Sequence, residues 1–143
     1  MSWQSYIDNM KTPDASGKAP VEDAAICGMD KGAEGVWAST PGFSGITAAE
    51  IKRLAAADRK DFGQNGPTIA GMKCRLIRDN LDTDGLNCLD MKSSADADGN
   101  AYNVCVGKSV KALVIAKGTK EANGGQVSGK VFSTVEHLRK SNY

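Results

Sequence analysis

With 143 residues the chain has one domain's length, enough to bury roughly 70% of the surface its unfolded form exposes. A hydrophobic fraction of 41% and a charged fraction of 24% exclude a disordered chain, a collagen-like repeat and a coiled coil. Eighteen basic residues against seventeen acidic ones leave a net charge of +1, too little for a global case for nucleic-acid binding.

The opening residues, Met1 to Lys11, lack the basic then apolar pattern of a secretory signal. No apolar run approaches the ~20 residues of a membrane helix. The four cysteines, Cys27, Cys74, Cys88 and Cys105, stand apart with no C-x-x-C spacing, so they read as buried free thiols of a cytosolic protein rather than a disulfide framework. Trp3 to Met10 carries Trp3, Tyr6, Ile7 and Met10 at helical spacing behind a Ser2 cap. Lys11 to Pro20 is a polar loop. Ala24 to Gly28 and Val36 to Ser39 read as a hairpin joined by the glycine-rich turn Asp30 to Gly35. Thr47 and Glu50 form a capping box for a helix over Ala48 to Ala57.

From Thr68 the period changes to two. Strands are expected at Thr68 to Ile77, Leu86 to Met91, Tyr102 to Val106 and Ala112 to Ala116, with turns at Asp82 to Gly85 and Gly107 to Lys111. Val127, Val131, Val135 and Leu138 mark one face of a C-terminal helix. With no repeat and no linker, the chain reads as one α+β domain over residues 1–143, its helices packed on an antiparallel sheet.

Three motifs resemble chemistry. Gly124 to Lys130 fits the phosphate-cradling GxxxxGK pattern, but Val131 stands where a Ser or Thr would ligate magnesium, and the preceding strand belongs to an antiparallel meander. The remote alternative of a small P-loop-like nucleotide-binding enzyme rests on this motif alone. Asn80 to Gly85 and Asp96 to Gly99 look like half EF-hands, yet Met91 and Cys105 fall where a bidentate glutamate is required. His137, the single histidine, has no cluster of ligands or nucleophile around it. No catalytic residue, metal or cofactor is expected of these motifs.

The aromatics are placed unusually. Trp3 and Tyr6 stand one turn apart in a helix at one end of the sequence and Tyr143 lies at the other, where polar residues are the norm. Residue types alone leave two readings open: aromatics docked into the core, or a shallow groove for a polyproline II segment.

Trp3-Gln4-Ser5-Tyr6-Ile7-Asp8-Asn9, Ala24-Ala25-Ile26, Val36-Trp37-Ala38 and His137-Leu138-Arg139-Lys140-Ser141-Asn142-Tyr143 together resemble profilin, of the animal type. Cys74 to Asp79 and Tyr102-Asn103-Val104 fall where animal profilins have similar segments. The resemblance implies a profilin-like fold: a central antiparallel β-sheet with N- and C-terminal helices packed on one face and smaller helices on the other. It implies a cytoplasmic, cytoskeleton-associated monomer that binds actin monomers and proline-rich proteins such as actin elongation factors, with regulation of actin polymerisation and nucleotide exchange. On this resemblance the poly-proline site is Trp3, Tyr6, Trp37, His137, Leu138 and Tyr143.

The resemblance assigns actin contact to Lys73, Leu76, Ile77, Arg78, Lys92, Gly125 and Phe132, and binding of phosphoinositide headgroups to Lys73, Arg75, Lys92, Arg139 and Lys140. The sequence departs from animal relatives at four places. Gly129 and Ser133 replace a lysine and a glutamate, Asn123 replaces a histidine, and Gly63 with Gln64 replaces a larger apolar or aromatic pair. Lys130 points roughly 100° away from position 129 on a helix. These departures motivate an alternative, a profilin-fold adaptor with weakened actin binding.

Overall fold

Turn residues separate the strands, which join in sequence order almost without crossing. In the computed structural model, which describes residues 2–143, the order begins with α1 (Trp3–Met10), β1 (Val21–Gly28), β2 (Gly35–Ser39) and α2 (Ala48–Ala55). It continues with β3 (Thr68–Ile69), β4 (Met72–Asn80), β5 (Cys88–Ser93), β6 (Asn103–Lys108), β7 (Ala112–Gly118) and α3 (Gly124–Lys140). Single 3-10 turns sit at Pro41–Phe43 and Lys60–Gly63. All seven strands form one sheet in the order β2-β1-β7-β6-β5-β4-β3, with every neighbouring pair antiparallel. The expected α+β architecture, with the terminal helices together on one face, is the one observed.

Alternation along the strands feeds two cores, one on each face of the sheet. Ile51, Leu54, Phe43 and Phe62 from α2 and the two 3-10 turns pack with Ala25, Leu89, Val106, Leu113 and Ile115. Ile7 and Met10 of α1 and Val127, Val131, Val135 and Leu138 of α3 pack on the other face with Ile26, Cys105, Val114 and Ala116. Close seating of α3 needs a bare strand beneath it. A Cβ on Gly107 would lie 2.4 Å from Val135 Cγ2 and 2.6 Å from Val131 Cγ1.

The expected strand from Thr68 to Ile77 is instead a tight hairpin, because Ala70 (φ 52°) and Gly71 (φ 79°) take left-handed conformations and reverse the chain. Alanine at such a position carries no turn signal. Glu50 stabilises it by accepting from the Ala70 and Gly71 amides, each at 3.0 Å, and from Thr68 Oγ1 at 2.7 Å. The same carboxylate accepts from Thr47 N at 2.9 Å, completing the capping box of α2. Other limits shift by a few residues. β5 starts at Cys88 rather than Leu86, β6 at Asn103 rather than Tyr102, and α2 stops at Ala55 rather than Ala57.

Glu50→Ala is expected to destabilise the fold by about 2 kcal/mol, since it removes a helix cap and leaves turn amides without their charged acceptor. Burial pushes the Glu50 carboxyl up, but hydrogen bonds from Gly71, Thr68, Thr47 and Ala70 outweigh it and hold the carboxyl below its ordinary range. A depressed folded value contributes stability that is fully present above about pH 4.3 and is lost as the pH falls through that lower value. Urea unfolding at neutral and acid pH checks this, with the variant showing the shallower loss toward acid.

Candidate functional site

The amphipathic pattern of α1 buries Ile7 and Met10 and so turns Trp3 and Tyr6 to the rim of the second core. There they meet the two other parts of the chain that carry exposed aromatics. Ring centroids lie 4.7 Å apart for Trp3 and Trp37, 5.6 Å for Trp3 and Tyr6, 5.4 Å for Trp3 and Tyr143, and 5.6 Å for Tyr6 and His137. Five of the six predicted groove residues therefore form one continuous surface. Trp37 and Tyr143 remain 37% and 43% exposed, so the aromatics are stacked on one another without being absorbed into the core. Leu138, the sixth, is buried and supports the groove from below. Beside Tyr6 and His137 the groove opens into a hollow of about 520 Å³ lined also by Asn9 and Thr134.

Two supports of this surface are absent from any sequence pattern. Ser109, in the turn between β6 and β7, is buried and donates from Oγ to the backbone oxygen of Tyr143 at 2.6 Å. The Lys111 amide donates to the same oxygen, while Tyr143 N donates to Leu138 O at 2.9 Å. The Lys111 ammonium stands 5.1 Å from the centre of the Tyr143 ring, a favourable placement over an aromatic face. Beneath Trp37 lies Gly28, whose missing Cβ leaves room for the indole.

A second surface lies across the sheet, where β4 and β5 meet the first half of α3. A bulge between Leu76 and Arg78 changes the facing of β4 there. Ile77 is 56% exposed and lines a cleft with Arg78, Asp90 and Gly125. Arg78 Nη2 donates to Asp90 Oδ2 at 3.1 Å. A neighbouring groove of about 360 Å³ runs on past Phe132 and Leu86, both exposed apolar residues. Ile77, Arg78, Gly125 and Phe132 are thus brought together. Leu76 is not: it packs half-buried against the first core on the opposite face of the sheet. Asn80, Leu86, Cys88, Asp90 and Ser128 line the groove without having been singled out from sequence, and only the exposed leucine offered a signal.

The basic residues fall into two groups. Arg75 and Lys92 stand in register across β4 and β5, with Lys73 two residues further back on β4. Arg139 donates through Nε and Nη2 to Lys108 O, and Lys140 pairs with Glu136 at 3.2 Å. Because Lys92 registers with Asn103, five residues before Lys108, Lys92 and Lys108 lie toward opposite ends of the strands, about 17 Å apart along them.

The family model for profilin matches residues 1–143, and human profilin-1 is 39% identical over 143 residues, spanning 99% of this chain and 98% of that protein. The chain belongs to the profilin family. Rat profilin-2 is 36% identical with the same coverage. Mouse profilin IIa, solved in complex with a double repeat from the FH1 domain of mDia1, matches at a TM-score of 0.88 and 36% identity over 100% of both chains. LokiProfilin1, solved with rabbit actin, shares the profilin fold at a TM-score of 0.62 and 14% identity, over 96% of this chain and 94% of that one.

The profilin fold also disposes of the nucleotide motif. Gly124 to Lys130 lies wholly within α3, where the capping box engages the Gln126 amide: Asn123 Oδ1 accepts from Gln126 N at 2.9 Å, and Gln126 Oε1 from Asn123 N at 3.0 Å. A phosphate cradle needs those groups in an open loop. Among the described residues no group of three His, Cys, Asp or Glu side chains is placed to hold a metal, and no helix is long and apolar enough to cross a membrane. Cys27, Cys74 and Cys105 are free and buried as expected, but Cys88 is only half-buried, because it opens β5 at the rim of the groove.

Proposed function

We propose that this single profilin-like unit, residues 1–143, binds actin monomers and proline-rich segments on separate surfaces and so regulates actin polymerisation and nucleotide exchange. The observation that carries the reading is the continuous stack of Trp3, Tyr6, Trp37, His137 and Tyr143, with both outer rings exposed. A polyproline II ligand is ordered before it docks, and flat aromatic faces with polar tips match its rings and carbonyls. The match to mouse profilin IIa, which was solved with an FH1 repeat, supports the same assignment.

Actin is assigned to the surface around Ile77, Arg78, Gly125 and Phe132, with Lys73 and Lys92 at its edge, and Leu76 supporting it through the first core. Such a protein acts by binding one state of its partner better than another, so acceleration of nucleotide exchange needs no reacting group here. In strand order β2 and β5 are four places apart, about 19 Å along the sheet, which allows both partners at once. Cytoplasmic, cytoskeleton-associated action as a monomer follows from these partners. Phosphoinositide headgroups are assigned to Lys73, Arg75 and Lys92, with Arg139 and Lys140 as a second patch, each basic residue adding roughly 1 kcal/mol at an anionic membrane surface.

The test is release of a fluorescent ATP analogue from actin monomers titrated with the protein. Saturable acceleration is expected, and no acceleration together with no competition for actin would leave the adaptor reading in its place. Position 129 refines it. A side chain there meets nothing within 4 Å, so Gly129→Lys is accommodated. The variant is expected to gain about 1 kcal/mol in stability from helix propensity and to strengthen actin binding, read by the same titration.

A further inference from the structure

We infer that the turn between β6 and β7 sets affinity for proline-rich segments by seating Tyr143, with the buried Ser109 as the positioning residue. The inference rests on the assignment of the aromatic groove to such segments. Trp3, Tyr6 and His137 ride on helices and Trp37 on a strand, so regular backbone holds every ring of the stack but one. Tyr143 lies beyond α3, where Asn142 at φ 64° turns the chain back. Hydrogen bonds fix its backbone instead. Tyr143 N donates to Leu138 O at 2.9 Å, and the Tyr143 oxygen accepts from the Lys111 amide and from Ser109 Oγ, the latter at 2.6 Å. Both donors to that oxygen come from the turn.

Ser109 is 1% exposed, and a hydroxyl so placed is costly unless it is hydrogen-bonded. Its oxygen accepts from Ala112 N at 3.1 Å and closes the turn. Its one proton has Ala112 O within reach at 3.1 Å and Tyr143 O at 2.6 Å. Ala112 O already accepts from Ser109 N at 2.9 Å, so the proton goes to Tyr143. The same turn reaches the opposite wall of the groove. Lys111 O accepts from Met29 N at 3.2 Å, and Gly28 pairs with Ala112 on one side and with Gly35 of β2 on the other. β2 carries Trp37, so the rings that flank Trp3 at 4.7 and 5.4 Å are both positioned from one turn.

A ligand that stacks across the groove gains most when Tyr143 is in place before it arrives, since the entropy of ordering that ring otherwise subtracts from affinity. The ring itself is 43% exposed and touches only the edge-on Trp3 and the Lys111 ammonium, which leaves its position dependent on the backbone seat. Removing the Ser109 hydroxyl takes one donor from that seat. It also leaves the buried Ala112 amide without its acceptor, so an effect on stability has to be separated from the effect on Tyr143.

Poly-L-proline is titrated, by tryptophan fluorescence, into wild type, Ser109→Ala, Tyr143→Ala and the double variant. Ser109→Ala is expected to bind about fivefold more weakly and Tyr143→Ala about tenfold, with the double variant no weaker than Tyr143→Ala alone. Near-ultraviolet circular dichroism of the stacked rings is expected to change in Ser109→Ala in the same sense as in Tyr143→Ala, with the far-ultraviolet spectrum unchanged. Additive losses overturn the proposal, as does wild-type affinity in Ser109→Ala. A second measurement needs no variant. Exchange of the Lys111 and Tyr143 amides, both hydrogen-bonded in the seat, is expected to slow severalfold when poly-L-proline binds the wild-type protein. Unchanged exchange at both with the ligand bound overturns the proposal even where Ser109→Ala does not fold. Wild-type protein that binds no poly-L-proline counts instead against the proline assignment. Faster exchange of the two amides in Ser109→Ala then upholds the seat of Tyr143, and equal exchange rejects it.

Discussion

Trp3→Ala is expected to lower affinity for poly-L-proline by about 30-fold or more, the ~2 kcal/mol typical of an interfacial hot spot. Trp3 is the hub of the groove, with ring contacts to Tyr6, Trp37 and Tyr143 at once. Removing it deletes the central face and also frees the other three rings to move, so ordering cost is added to lost contact. The helix itself is held from beneath by Ile7 and Met10, each 1% exposed, so circular dichroism is expected to be unchanged. Titration of the remaining tryptophan fluorescence with poly-L-proline measures the loss. Actin nucleotide exchange is expected to stay at the wild-type level, since the actin-assigned residues lie on β4, β5 and α3 rather than on α1. Equal loss of both activities in a folded variant would contradict the two-surface reading.

Much of this was legible because local chemistry and fold agree. Capping at Ser2 and Thr47 and the apolar spacing in α1 and α3 mark the helices, while the capping box of Asn123 with Gln126 went unread. A tryptophan and a tyrosine at opposite ends of the sequence hinted that the ends meet, and they do. Illegible were features set by backbone conformation rather than by residue type. The hairpin at Ala70–Gly71 is invisible because alanine rarely adopts φ 52°, and the acceptor that holds it, Glu50, lies twenty residues away. The bulge after Leu76 decides which side chains of β4 face α3 and which face the first core. An alternating pattern cannot announce a bulge, and a one-residue change reverses every side chain beyond it. Leu76, grouped with Ile77 and Arg78 on the resemblance alone, packs instead against the first core.

Gly28 shows how a binding surface can depend on an atom that is missing. Read from sequence it merely ends a strand, and its φ is not in the left-handed range, so alanine fits the backbone. Yet a Cβ there would lie 2.5, 2.6 and 2.7 Å from Nε1, Cε2 and Cζ2 of Trp37, distances that only movement of the indole can relieve. β2 is an edge strand and Trp37 is half in solvent, so the ring can swing away at little expense, and stability is expected to change by less than about 1 kcal/mol. The groove, however, loses the wall that faces Trp3 at 4.7 Å. Gly28→Ala is therefore expected to cost about tenfold in poly-L-proline affinity with actin nucleotide exchange unchanged. A double-mutant cycle identifies the route. If Gly28 acts only by seating Trp37, the double variant Gly28→Ala/Trp37→Ala binds as weakly as Trp37→Ala alone, and the two losses do not add. Full additivity would mean that the ligand itself needs the space above Gly28, placing the floor of the proline groove on β1 as well as on the aromatic stack.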